Sequence, residues 1–241
     1  MTVIGIFGPT GVGKTGVAVA LAEQLRRRGE DPVAINCDAL QVYEGLEVLT
    51  GTASAEEQGR LEHRLLGFVP VTADFSVGDY MPLAHREVDA ALAARRQPIV
   101  VGGTGLYLRA AVAELSLVKM PPESRDSELW SPETRHPTVI FGLDMERERL
   151  YERIDARVEA IVSGGGVEEA RRAEALGPGR TARKALGFDE LLAGDLETMK
   201  RRSRNYARRQ LTWMRKVPNL IPIDRTDLSD DEVAEQIGCR A

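Results

Sequence analysis

Eight consecutive residues near the start of the chain, Gly8-Pro9-Thr10-Gly11-Val12-Gly13-Lys14-Thr15, place glycines, a lysine and a threonine at the spacing of a phosphate-binding P-loop. In such a loop successive backbone N–H groups turn inward around a phosphate, and the following helix adds partial positive charge from its N-terminus. Lys14 would reach terminal phosphate oxygens, and the Thr15 hydroxyl can ligate Mg²⁺. The pattern lies between an apolar run, VIGIF at residues 3–7, and a segment carrying Val17, Ala18, Leu21 and Leu25 at helical spacing. Strand, loop and helix in that order are the context in which the pattern has mechanical meaning.

Holding phosphate does not say what is done with it. P-loop switches and motors normally add an acidic residue at the end of another strand, and guanine-specific proteins add Asn-Lys-x-Asp. Here Ile99-Val100-Val101 runs into Gly102-Gly103-Thr104-Gly105 without a carboxylate, and Asn-Lys-x-Asp does not occur. The acidic candidate is Asp38, just past the strand-like PVAIN at residues 32–36. In an open parallel sheet these strand ends open onto the crevice beside the P-loop, so phosphate, carboxylate and the glycine-threonine loop are expected to converge. On local sequence the plainer alternatives are a turn or cap aspartate for Asp38 and a helix N-cap for Thr104.

The elements that must position these groups alternate along the chain. Strand-like runs at residues 3–7, 32–36, 98–101, 138–143 and 220–223 are separated by helical patterns, one of them at residues 85–94. That alternation predicts a single α/β domain, a doubly wound parallel sheet of the P-loop type covered on both faces. Only residues 119–127, KMPPESRDS, read as a linker. Further on, Leu150, Ile154, Val158 and Ile161 form an apolar stripe at helical spacing, with Arg153 and Arg157 sharing a flanking face. Arg147 and Arg153 are expected to be solvated.

Composition restricts the setting. The chain has 241 residues, 43% apolar and 29% charged, as soluble globular domains have. It shows no basic leader followed by an apolar segment and no span of about 18 uncharged apolar residues, and its two cysteines, Cys37 and Cys239, suggest no disulfide framework. A cytoplasmic protein with no membrane contact is expected. The net charge of −5 conceals residues 200–216, which hold eight basic residues and no acidic one. On a helix Arg201, Arg208 and Arg215 recur along one side, and Met199, Tyr206 and Trp213 along another. One side is expected to pack and the other to meet RNA phosphates, the plainer alternative being a solvated helix face.

Four ordered segments together resemble the tRNA dimethylallyltransferase family. They are Gly8 to Thr15; Cys37-Asp38-Ala39-Leu40-Gln41-Val42-Tyr43 with Gly45-Leu46-Glu47-Val48; Val101-Gly102-Gly103-Thr104-Gly105-Leu106-Tyr107-Leu108-Arg109; and Arg208-Arg209-Gln210-Leu211-Thr212-Trp213-Met214-Arg215. The resemblance runs from residue 1 to about residue 224. It implies transfer of a dimethylallyl group from dimethylallyl diphosphate to N6 of an adenosine beside the tRNA anticodon, with the P-loop holding the leaving diphosphate. It implies Asp38 as the base that takes the N6 proton, Thr104 near the reacting groups, Arg157 near the diphosphate, and Asp38, Ala39, Leu40 and Gln41 at the target nucleotide. A monomer working on an anticodon stem-loop with Mg²⁺ is expected.

The chain departs from the family in three places. Family members that modify tRNA usually carry a helical insertion after the Gly-Gly-Thr-Gly-Leu-Tyr helix, whereas residues 110–135 here read as a short loop. His63-Arg64-Leu65-Leu66 keeps the first histidine of a usual pair, and Ala39 replaces a frequent serine. Compact relatives that prenylate free adenine nucleotides are therefore an alternative. A small P-loop kinase with Arg147, Arg153 or Arg157 as lid arginines, and a core that merely binds RNA, are two others.

Overall fold

The computed structural model describes residues 1–116 and 128–241, so the linker expected at residues 119–127 lies outside the described residues. Its main sheet contains β1 (Val3–Phe7), β2 (Pro32–Asn36), β4 (His63–Arg64), β6 (Gln97–Gly102), β7 (Thr138–Asp144) and β8 (Ile221–Asp224). These run in the order β4-β2-β6-β1-β7-β8, and every pairing is parallel. All five residues of β1 are buried, as a strand covered on both faces must be. Alternation assigns them to two cores: Ile4 and Ile6 join Val101, Phe141 and Leu143, while Val3 and Phe7 join Ile35, Val100 and Ile140.

Helices cover the two faces. α1 (Lys14–Arg27) lies on the Ile4 side with its Val17, Leu21 and Leu25 buried, α2 (Glu47–Thr50) and α3 (Ala55–Arg60) are short, and α4 (Val77–Ala93) and α5 (Gly105–Val112) cover the Val3 side. The five expected strands form within a residue of their expected ends. β4 was not expected, because two residues carry no period. Nor was the separate pair of β3 (Tyr43–Glu44) with β5 (Val69–Pro70).

α4 begins at Val77, well before the expected residue 85. Ser76 and Asp79 form a capping box that sets this start. Pro82, inside the helix, disguises it in the sequence; Gly78, four residues earlier, supplies the carbonyl that proline cannot bond.

The C-terminal half adds α6 (Arg147–Ser163), α7 (Gly166–Leu176), α8 (Phe188–Ala193), α9 (Leu196–Met214) and α10 (Asp230–Gly238). The stripe of Leu150, Ile154, Val158 and Ile161 is buried as its spacing requires. In α9 the packed stripe is Met199, Ser203, Ala207, Gln210 and Met214. Tyr206 and Trp213 are half-buried at its edge, Trp213 packed against the core beside Gly105, so the side expected to pack does pack, with its centre shifted from the seven-residue spacing. A spacing of seven drifts about 20° per repeat around a straight helix, so a mixture of three and four tracks the core better.

Candidate active site

The P-loop bends where its glycines allow. Gly11 and Gly13 have φ of 82° and 88°, in the left-handed region open to glycine. Lys14 folds over the loop and its Nζ donates to the Gly8 and Pro9 carbonyls at 3.0 Å each. Burial of the ammonium lowers its pKa to about 8, against the opposing pull of the Asp38 carboxylate. Thr15 stands half-buried in the first turn of α1 and lines the same cavity.

Asp38 is fixed by its neighbours. The Asn36 side chain accepts from Asp38 N–H at 3.0 Å and donates to the Asp38 and Leu65 carbonyls, and the Asn36 carbonyl accepts from the Tyr80 hydroxyl at 2.7 Å. Asp38 Oδ1 accepts from Leu40 N–H at 3.0 Å, so the turn role read from local sequence is real. It occupies one oxygen only. Oδ2 faces Gly103, 3.4 Å from where a Cβ on that glycine would stand.

Thr104 precedes α5 but makes no side-chain cap; its Oγ1 accepts from Ala39 N–H at 3.1 Å, tying the glycine-threonine loop to the Asp38 turn. Tyr206 lies beside Thr104, and burial together with the nearby Asp38 charge pushes its phenol well above the usual range. Gln41 Nε2 donates to the Gly51 carbonyl at 3.0 Å and the Thr50 carbonyl at 3.3 Å. Arg157 Nη2 donates to the same Thr50 carbonyl at 2.7 Å. Burial lowers the Arg157 pKa, and Asp38 opposes that shift.

Sequence reasoning missed the residue that joins these parts. Gln210 Oε1 accepts from Thr10 N–H at 2.8 Å, and its Nε2 donates to the Gly103 carbonyl at 2.8 Å. Gln210 stands in the fourth segment of the family resemblance, which assigned it no role, and it is a polar residue on the packed stripe of an amphipathic helix. Arg153 is exposed as expected, and it also donates from Nε to the Gly11 carbonyl at 2.9 Å. Arg109, 1% exposed, donates to the Leu129 and Ser131 carbonyls and so ties residues 129–131 to α5.

One cavity of about 440 Å³ is lined by Lys14, Thr15, Asp38, Gln41, Arg157 and Gln210, together with apolar side chains. Arg201, Arg208 and Arg215 are all exposed on the solvent side of α9. The basic segment is thereby divided, because Lys200, Arg202 and Arg204 pair with Glu159, Glu190 and Asp155 within the protein.

Two family models match the chain: "IPP transferase" over residues 41–135 and 123–217, and "Isopentenyl transferase" over residues 1–67. A tRNA dimethylallyltransferase of Thermobifida fusca is 33% identical, over 95% of this chain and 92% of the relative. One of Rhodospirillum centenum is 34% identical, over 87% of each. The crystal structure of the tRNA isopentenylpyrophosphate transferase of Bacillus halodurans superposes with a TM-score of 0.83 at 28% identity, over 99% of this chain and 95% of that one. With the phosphate loop, Asp38 and the end of β6 at Gly102 meeting in one cavity, and with matches along nearly the whole chain, the protein belongs to the IPP transferase family.

Proposed function

We propose that this protein transfers a dimethylallyl group from dimethylallyl diphosphate to N6 of an adenosine beside the anticodon of tRNA. The carrying observation is that Lys14, Arg157 and Asp38 border one cavity, close enough for the Asp38 charge to act on both cations. An allylic C1–O bond breaks readily once the charge gathering on the diphosphate is neutralised, a task for Lys14, Arg157 and the loop amides. N6 of adenine is a weak nucleophile. Asp38 Oδ2 would accept its proton as the N6–C1 bond forms and diphosphate departs.

Thr15 suits Mg²⁺, which takes one or two protein ligands and completes its shell from phosphate and water. Among the described residues no cluster of three or more acidic, histidine or cysteine side chains gathers to hold an ion, so diphosphate oxygens would supply the other ligands. The ion would add positive charge at the leaving group.

Arg201, Arg208 and Arg215 would track the phosphates of the anticodon stem-loop, while Asp38, Ala39, Leu40, Gln41 and Thr104 meet the target nucleotide. Residues 110–135 would stand where relatives carry their helical insertion. The two IPP transferase matches overlap at residues 123–135, and the Thermobifida alignment runs over 294 positions against a chain of 241 residues. No helix among the described residues is long and apolar enough to cross a membrane, and a single-domain monomer working in the cytoplasm fits this reading.

The test is incubation of bulk tRNA with the protein, dimethylallyl diphosphate and Mg²⁺, followed by nucleoside mass spectrometry. Isopentenyl-adenosine in the tRNA is the expected product. Phosphate transfer from ATP with the prenyl donor ignored would reinstate the kinase alternative.

A further inference from the structure

The matched IPP transferase segments end at residue 217, yet two side chains beyond them return to the phosphate loop. Arg225 directly follows β8, its N–H bonded to the Asp144 carbonyl at 3.0 Å, and its side chain is 4% exposed. Nη1 donates to the Gly13 carbonyl at 3.3 Å, and Nη2 pairs with Asp230 Oδ1 at 2.8 Å. A Cβ on Gly13 would stand 2.5 Å from Arg225 Nη1. Asp230 opens α10, whose start is set by the Ser229–Glu232 capping box and whose Val233, Ala234 and Ile237 pack into the core with α1. Its Oδ2 fills the space a side chain on Gly16 would need. Asp230, paired with Arg225 and otherwise half-exposed, thus stands beside the first turn of α1.

That turn is where a longer phosphate chain would continue. The first four N–H groups of a helix have no intrahelical acceptor, and anions bind there in series with the loop amides. Two phosphates would lie on the loop at Lys14, and a third laid along the same row of amides would meet the Asp230 carboxylate beside Gly16. We infer that Asp230, seated by Arg225, acts as a stopper that limits this cradle to a diphosphate and discriminates against nucleoside triphosphates. The P-loop pattern by itself provides no such discrimination. The inference rests on the reading of the loop as a diphosphate cradle, and it adds a specificity-determining role for residues outside the matched segments.

Titration calorimetry with inorganic diphosphate and with ATP, at fixed Mg²⁺ and salt, tests it on the wild type, Asp230→Asn and Asp230→Ala. Asn keeps the shape and removes the charge; Ala removes both. ATP affinity should rise at least tenfold in each variant, while diphosphate affinity changes less than threefold. An equal rise for both ligands marks a general charge effect and overturns the stopper, as does an unchanged ATP affinity. Thermal unfolding of Asp230→Asn close to the wild type confirms that the comparison is made on folded protein. Diphosphate failing to bind the wild type would remove cradle and stopper together, whereas intact binding without prenyl transfer would strike the proposed function alone.

Discussion

Gln210 and Thr10, two hundred residues apart, are joined by a 2.8 Å hydrogen bond from the Thr10 amide to the Gln210 side chain, whose other end holds the Gly103 carbonyl. One buried amide thereby sets the spacing between the loop that takes phosphate and the loop that borders Asp38. Gln210→Ala should leave a donor and an acceptor without partners. The expected loss is about 1–3 kcal/mol in urea unfolding, with a fall in kcat/KM larger than the fall in diphosphate affinity.

Lys14→Ala should lower turnover by about a hundredfold or more, as removal of a preorganised charge partner does. The depressed pKa adds a pH signature. Below about 8 the folded protein carries the cost of a buried ammonium; between about 8 and 10.5 it has released a proton that the unfolded chain retains. Stability should therefore rise with pH across that window in the wild type relative to Lys14→Ala, as denaturant titrations at several pH values would read. Diphosphate binding should weaken in the same window, because the neutral amine no longer pairs with the anion. A wild-type to Lys14→Ala affinity ratio that stays flat with pH would contradict this.

Asp38→Asn preserves shape and the Oδ1 bond to Leu40 N–H but removes the proton acceptor. Single-turnover rates should drop by about 10²–10⁴ while donor binding changes little. A parallel loss of donor affinity would place Asp38 with the metal ion instead.

The exposed arginines separate RNA from free nucleotide as the acceptor. Taking one cation away from an RNA phosphate should flatten the slope of log affinity against log salt by about 0.7–0.9, so Arg201→Ala, Arg208→Ala and Arg215→Ala should each do so for an anticodon stem-loop. Arg204→Ala, which breaks an ion pair with Asp155, should alter stability more than that slope. If AMP has a higher specificity constant than the stem-loop, and the three arginine changes leave rates untouched, the acceptor is the free nucleotide.

Local sequence determined the parts whose physics is local. The P-loop needs only consecutive residues, an apolar strand, glycines that accept positive φ and a helix start, so Gly8 to Thr15 could be read without any partner. The central strands β1, β2 and β6 were legible because burial on both faces favours apolar runs such as VIGIF. Tertiary structure decided what depends on residues far apart meeting at set distances. It gave Thr104 a bond to Ala39 in place of a cap, brought Arg153 onto Gly11, and returned Arg225 and Asp230 to α1. Gln210 shows why: a polar residue on a buried stripe must find partners, but which backbone groups it finds is set by how α9 packs across the sheet, and no spacing along the chain encodes that.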